Sequence, residues 1–397
     1  MNTHVSTIPV ANESPSAPPV RAFLFGSRAL DFWLLGGLSL ALWLPLYFLI
    51  DRLGTLKALG TMLPTAALVL GYVVNHPHFM ASYKLAYGQG RGFVLQNWLQ
   101  LIVVPVVMLV LLGVTYANWD EAVIGSASTT TINRFFESVG LATRIGLQRN
   151  LGREVLGYFV QVMYFTVGWH YAKQTFGCMM VYAKFDGYTL NAIERNLLRY
   201  GLLSTWWLSW LYSNCSAGTY PFFSLSVYRL NLPYVWFQVG YVVVGALFAA
   251  IIFALVARYW RDKRAPSWNF LVPMLALLTW HVPFFGQPEF FVVIALFHSL
   301  QYFPFVAKVE LTRYRMKTRR KPGVWLLGFF ALMVVVGYLA FYFIPGQLDA
   351  GLQTFQQQQL QYFLISILVF INIHHYFIDN VLWRFNKNKE VRELLFR

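Results

Sequence analysis

Charge is scarce in this chain. Asp, Glu, Lys and Arg make up 12% of the 397 residues and hydrophobic residues 57%, where a soluble protein carries roughly a quarter charged residues. That scarcity excludes an ordinary soluble domain and points to an integral membrane protein. Cysteine is nearly absent too. Cys178 and Cys215 lie in or beside different apolar runs and form no C-x-x-C pair, which excludes a disulfide framework and a thiolate metal site. Long polar stretches are also missing, since apolar runs recur from about residue 29 almost to the end; the chain reads as one membrane domain. There is no Walker sequence, no G-x-S-x-G and no H-E-x-x-H. The glycines Gly88, Gly90 and Gly92 follow no strand, so that segment reads as a short cytoplasmic turn rather than a phosphate loop. No convincing internal repeat is present, which weighs against an inverted-repeat transporter.

What is abundant is positive charge at the ends of apolar runs. The balance of 31 Lys and Arg against 16 Asp and Glu gives +15, placed where it orients helices and meets anionic lipid, so a nucleic-acid partner is rejected. A bilayer core of about 30 Å needs roughly 20 residues of apolar helix. By that measure the sequence predicts an all-α bundle with ten spans, near 29–50, 59–80, 94–116, 155–182, 197–214, 234–257, 268–286, 289–307, 323–345 and 358–384. Residues 1–28, with their Ser-Pro-Ser-Ala-Pro-Pro stretch, read as a disordered cytoplasmic tail, 29–385 as the helical domain and 386–397 as a basic cytoplasmic tail. The heaviest basic clusters, Arg258 to Arg264, Lys308 to Lys321 and Arg384 to Arg397, all follow even-numbered spans, which places both termini in the cytoplasm. The segment 117–153 runs against the rule, carrying Arg134, Arg144, Arg149 and Arg153 on the outer side, partly offset by Asp120, Glu121 and Glu137. Its Ser126-to-Thr131 stretch suggests a loop followed by an interfacial helix, and 186–200 suggests a second such helix. Gln356 to Gln359 is a short polar run before the last span.

Six of the eight histidines lie inside or at the end of apolar runs: His76, His78, His170, His298, His374 and His375. Ionisable residues within a membrane are costly and mark functional sites. The predicted topology runs all four of their spans from outside to inside and brings the six imidazoles to a similar depth in the cytoplasmic half. His281, toward the outer end of its span, and His4, in the tail, stay out of the group. Asp379 lies one turn after His375 on the same face and is a further candidate ligand. Gln174 beside His170, Gln301 and Tyr302 beside His298, and Asn75 beside His76 are candidates to orient those ligands through their second nitrogens. In Asn75-His76-Pro77-His78, histidines two apart diverge on a regular helix, and Pro77 interrupts the backbone bonding. A single histidine in such a helix is more often a packing residue, so the common depth of six carries the metal reading. Trp206, Trp207 and Trp210 read as an interfacial belt, and Glu289 and Glu310 as residues at the outer and inner interfaces.

The motifs Asn75-His76-Pro77-His78, Trp169-His170-Tyr171, His298 with Gln301 and Tyr302, and His374-His375 with Asp379 give the chain a layout that resembles the histidine-rich membrane oxygenases. These include the Brp/Blh-type carotene oxygenases of prokaryotes and, more distantly, the membrane fatty-acid desaturases and hydroxylases. The resemblance implies non-haem iron, mono- or dinuclear, at the six histidines and Asp379, with copper, zinc or haem as alternatives. It implies dioxygen and a lipophilic substrate such as an acyl lipid, isoprenoid or carotenoid as partners, membrane lipids around it, an electron-donor protein, and a prokaryotic cytoplasmic membrane. The H-x(3–4)-H and H-x-x-H-H boxes of the desaturases are absent, which favours a mononuclear or an unusual dinuclear site. Two other classes fit the same residues: a proton-coupled transporter using the His and Asp cluster, and a haem protein ligated from facing helices. A membrane acyltransferase using His281 or His298 has no flanking signature.

Overall fold

A computed structural model of the chain describes residues 22–53, 56–119, 133–135, 137–138, 151–281, 291–318, 321–351 and 361–397. The tail before residue 22 with His4, the loop at Ser126 to Thr131, Glu289 and Gln356 to Gln359 fall outside the described residues. Each apolar run carries helix. Helix α1 comprises Arg28–Phe32, a π-helical turn at Trp33–Gly37 and Leu38–Leu53. It starts where the Ser27 side chain accepts the Leu30 N–H at 3.1 Å, satisfying one of the free donors of a helix start. The second run is broken into α2 (Leu56–Val73) and α3 (Asn75–Tyr87), because Val74 leaves helical geometry at φ −123° and ψ −55°. Pro77 then falls in the first turn of α3, where its missing N–H costs nothing. Helices α4 (Arg91–Gln96), α5 (Leu99–Ala117) and α6 (Leu151–Phe185) follow.

Helix α7 (Ala192–Asn214) opens with a capping box in which Asn191 and Glu194 satisfy each other's backbone N–H groups. The interfacial helix expected at 186–200 is therefore not separate: its second half is the start of α7, and Asn191 is the cap that sets the boundary. Next comes a hairpin that periodicity of 3.6 could not reveal, β1 (Thr219–Phe222) against β2 (Leu225–Tyr228), with Thr219 opposite Tyr228. The rest is α8 (Tyr234–Asp262), α9 (Trp268–His281), α10 (Phe291–Lys317), α11 (Pro322–Gly351, with a π-helical turn at Leu339–Phe343), α12 (Tyr362–Leu382) and α13 (Lys389–Phe396). The last lies in the segment read as a basic tail. Its Val391, Leu394 and Leu395 are buried and it packs on α10, so an amphipathic stripe anchors that segment to the domain.

Among the described residues, four helices are long and apolar enough to cross a membrane: α5, α8, α11 and α12. The first three have only 22%, 17% and 28% of their apolar windows buried, whereas α12 has 61%. The peripheral helices thus turn Val110, Val242, Phe253 and Leu327 outward, an apolar exterior that suits lipid and not water. Inside this ring α12 packs on α3 and α6, α10 packs on α3, and α9 joins α1 to α6. At one end the helices are tied by ion pairs. Glu310, read as an interface residue, is fully buried between Lys84 at 2.5 Å and Arg313 at 2.7 Å, and Arg313 reaches Glu390 of α13 at 3.0 Å.

The closest helix approach beside the π turn of α1 depends on Gly36. A methyl group there would lie 2.7 Å from the carbonyl oxygen of Val272 and 2.8 Å from Cβ of Ala276 on α9. Gly36→Ala is expected to destabilise the protein by about 1–3 kcal/mol through overpacking. Gly245→Ala on α8, where nothing lies within 4 Å, should be neutral or slightly stabilising. Thermal unfolding of the two variants in detergent checks the contrast.

Candidate metal centre

Four helices each contribute one imidazole to a single point: His78 from α3, His170 from α6, His298 from α10 and His375 from α12. All four are buried, and their ligand nitrogens lie within 4.8 Å of one another. Nε2 of His78 is 3.1 Å from Nε2 of His375, and Nε2 of His170 is 3.0 Å from Nε2 of His298. Nitrogens about 2.0–2.1 Å from a shared metal sit about 2.9 Å apart at a right angle and about 3.3 Å apart at a tetrahedral one. Both close pairs fall in that interval. Opposite ligands would be about 4.2 Å apart, so the widest pair needs to contract by up to about 0.6 Å to stand opposite across one ion and by up to about 1.5 Å to stand at a tetrahedral angle.

The break before α3 is what admits His78. Its Nδ1 lies 2.6 Å from the carbonyl oxygen of Asn75, and because a carbonyl only accepts, that nitrogen carries the proton. The Nε2 lone pair of the neutral ring is then left facing the cluster, the arrangement metal-bound imidazoles use. Ser299 Oγ is 2.9 Å from the same Nδ1 and donates to Asn75 Oδ1 at 2.8 Å. Aromatic rings wall in the other imidazoles: Tyr376 stacks on His170 at 4.7 Å, Tyr171 lies 4.2 Å from His298, and Phe79 meets His375 edge-on at 4.6 Å.

Asp379 stands on one side of the cluster, with Oδ2 at 3.8 Å from His170 Nε2 and 3.7 Å from His375 Nε2. Its Oδ1 accepts from Ser82 Oγ at 3.0 Å and from the Tyr302 hydroxyl at 3.1 Å, and Trp383 Nε1 donates to that hydroxyl at 3.2 Å. Among the described residues no Lys or Arg nitrogen lies within 4.0 Å of this buried carboxylate; Lys173 attracts it from farther off, so it lacks the close positive partner that buried charges usually have. On another side lies a cavity of about 20 Å³ lined by Asn75, His78, Phe79, Tyr171, His298 and Asn372, room for roughly one water-sized molecule.

Of the expected ligands, then, four meet and Asp379 flanks them, while His76 and His374 lie outside the group. The reason is angular. Two residues on from His76, His78 turns toward α12, whereas the His76 ring stacks on Phe341 of α11 at 4.4 Å and meets Tyr72 edge-on at 5.6 Å. His374 is turned about 100° round α12 from its neighbour, with Nδ1 at 2.8 Å from the Tyr83 hydroxyl. Among the expected orienting residues, Tyr302 and Asn75 do contact the site. Gln174 instead donates to the backbone carbonyl of His298 at 2.9 Å, tying α6 to α10. Gln301 donates to the carbonyl of Leu35 at 2.6 Å, at the π turn where Gly36 departs from helical geometry. Ser82, Ser299 and Trp383 escaped the sequence reading although each has a signal: Ser82 is four residues after His78, Ser299 adjoins His298 and Trp383 is four after Asp379. His281 is buried elsewhere, 2.5 Å from Ser209 Oγ.

No protein family's sequence profile, no curated protein and no solved structure matches the chain.

Because Gln301 closes the opened backbone of α1, Gln301→Leu should leave the buried Leu35 carbonyl without its donor. The expected cost is about 1–3 kcal/mol, read as a lower unfolding temperature. A variant as stable as the parent would remove Gln301 from the framework of the site.

Proposed function

We propose that the protein is a multi-pass membrane protein of ten spans with both termini cytoplasmic, in a prokaryotic cytoplasmic membrane. In this reading it oxidises a lipophilic substrate at non-haem iron held by His78, His170, His298 and His375, with Asp379 beside them. The observation that carries the reading is the meeting of four buried Nε2 atoms from four helices at ligand spacing. Imidazole suits iron, copper, zinc and nickel, and adding a carboxylate favours the set used by non-haem iron. When bound, such a metal activates dioxygen at positions the protein leaves open.

The chain's own residues supply the rest. Four neutral imidazoles bring no charge, so Asp379 is the anion that offsets a dication. Ser82 and Tyr302 hold one carboxylate oxygen and leave the other turned to the histidines. The cavity beside His78 and His298 admits a molecule the size of water or dioxygen. The apolar helices around it exclude bulk water and suit a substrate arriving from the lipid. An electron-donor protein on the basic cytoplasmic face supplies reducing equivalents. The geometry disfavours haem, because four imidazoles packed with nitrogens 3.0 and 3.1 Å apart in pairs, beside a cavity of about 20 Å³, leave no room for a macrocycle.

Elemental analysis with an absorption spectrum of the detergent-purified protein is the primary test. One equivalent of iron without a Soret band is the expected result. Protein free of any metal would sink the reading and leave the histidines as a proton relay, to be followed by transport assays. His298→Ala and His375→Ala should each lose the metal while remaining folded, whereas His374→Ala and His281→Ala should retain it. Tyr302→Phe removes a hydroxyl that orients Asp379, and chelator competition should show metal affinity reduced by about 10–100-fold.

A further inference from the structure

On the outer face of the bundle α3, α11 and α12 enclose an open crevice of about 390 Å³, lined by Met80, Tyr83, Lys84, Met333, Ala340 and Phe370 among others. That volume is typical of small-molecule sites, roughly 300–1,000 Å³. The mouth lies among outward-facing apolar residues of α11, with Leu332, Val335 and Leu339 exposed, so it opens onto lipid in the membrane reading. The walls are almost wholly apolar, with one charged end. There Lys84 stands with its ammonium against Glu310, and Arg313 and Lys317 are within electrostatic reach. Lys84 and Arg313 pair with Glu310, Arg313 also reaches Glu390, and Lys317 is the third cation, so three positive charges stand against two negative ones at that end.

The crevice also adjoins the metal centre. Phe79 lines the small cavity beside the histidines and Met80 lines the crevice; on α12, Asn372 lines the cavity and Ile371 the crevice. Two pairs of chain neighbours therefore lend one side chain to each space. Tyr83 forms part of the crevice wall and bonds His374, the residue before the ligand His375.

We infer that the crevice between α3, α11 and α12 binds a single hydrocarbon chain ending in an anionic head, with the head at Lys84 and the chain along Met80, Met333 and Phe370. As a statement about the substrate, this rests on the reading of the four-histidine site as an oxidation centre; as a statement about binding it stands on the crevice alone. The chain enters sideways from the bilayer, the head stays at the charged end, and the occupant lies back to back with the cavity across the contact of α3 and α12.

The test uses the full-length protein in detergent, stripped of lipid and titrated with cis-parinaric acid, a fluorescent linear fatty acid, and with its methyl ester. Saturable binding of the acid near one equivalent is expected. Ala340→Phe fills the crevice and should weaken binding of both probes about tenfold or more. Lys84→Gln should weaken the acid and spare the ester. Gel filtration and metal content of both variants should match the parent, which separates blockage from misfolding. Binding unchanged by Ala340→Phe would overturn the site, and equal affinity for acid and ester in the parent would overturn the anionic head. His298→Ala should bind the probe like the parent. If that variant keeps its metal while probe binding still follows Ala340 and Lys84, the metal centre is wrongly assigned and the lipid site stands.

Discussion

The constraint on which the rest of this structure depends is the meeting of four buried Nε2 atoms at 3.0–3.1 Å in pairs. Two neutral imidazoles can face each other this closely only if a proton or another electrophile lies between them, because lone pairs in an apolar interior otherwise repel and go unsatisfied. For His78 the choice is narrowed further, since its other nitrogen is committed as a donor to Asn75. Much of the local architecture serves this meeting. Val74 breaks the second run so that α3 can start afresh, Gln174 fixes α6 to the backbone of α10 at His298, and Tyr376 stacked on His170 and Tyr171 tilted against His298 leave the rings little freedom to turn.

The same constraint explains why the ligand-bearing helices look unlike membrane helices. Of α3, α6, α10 and α12, only α12 is long and apolar enough to be recognised as a crossing helix by composition. The others carry histidines, Lys173, Gln174, Gln301 and the charges at their ends, which the lipid would not tolerate. Beside them α5 packs on α6 and α12 and α11 packs on α3 and α10, while α8 packs on α7; all three have apolar windows that are mostly unburied. The chain thus divides the labour: one set of helices is apolar and largely unburied, and the other carries the buried polar side chains.

What was legible in the sequence follows from which signals are local. Apolar run length located the helices but not all their ends, since 59–80 and 94–116 are each broken in two and the helix expected to end at 307 runs on to Lys317; backbone hydrogen bonding in an apolar setting leaves few alternatives to helix. Depth along the runs brought His78, His170, His298 and His375 together. Expected depth has no angular component, however, and so it also admitted His76 and His374, which face Phe341 and Tyr83. Assigning Gln174 and Gln301 to histidines on their own helices failed for a related reason. Both side chains reach across to another helix's carbonyl, and no spacing rule along one helix encodes that. The hairpin at Thr219–Tyr228 was missed because alternation over four residues is too short to stand out between two long helices.

The site is unequal on its two sides, and that inequality bears on where chemistry can occur. Toward Asp379 the space is filled by a closed set of hydrogen bonds, Ser82 and Tyr302 to the carboxylate and Trp383 to Tyr302, so a molecule approaching there would have to displace a buried charge network. Toward Asn75 and Asn372 there is instead a small cavity with polar walls, and Asn372 already accepts the Tyr376 hydroxyl at 3.1 Å. A ligand entering that space meets His78 and His298 across existing room, with the Asn75, Ser299 and Tyr376 hydrogen bonds in its walls rather than in its way. Charge is therefore held on one side of the four imidazoles and room is kept on the other. An anion that stays fixed while a small molecule comes and goes at a different face is what a metal centre needs in order to bind a reactant without losing its own ligands.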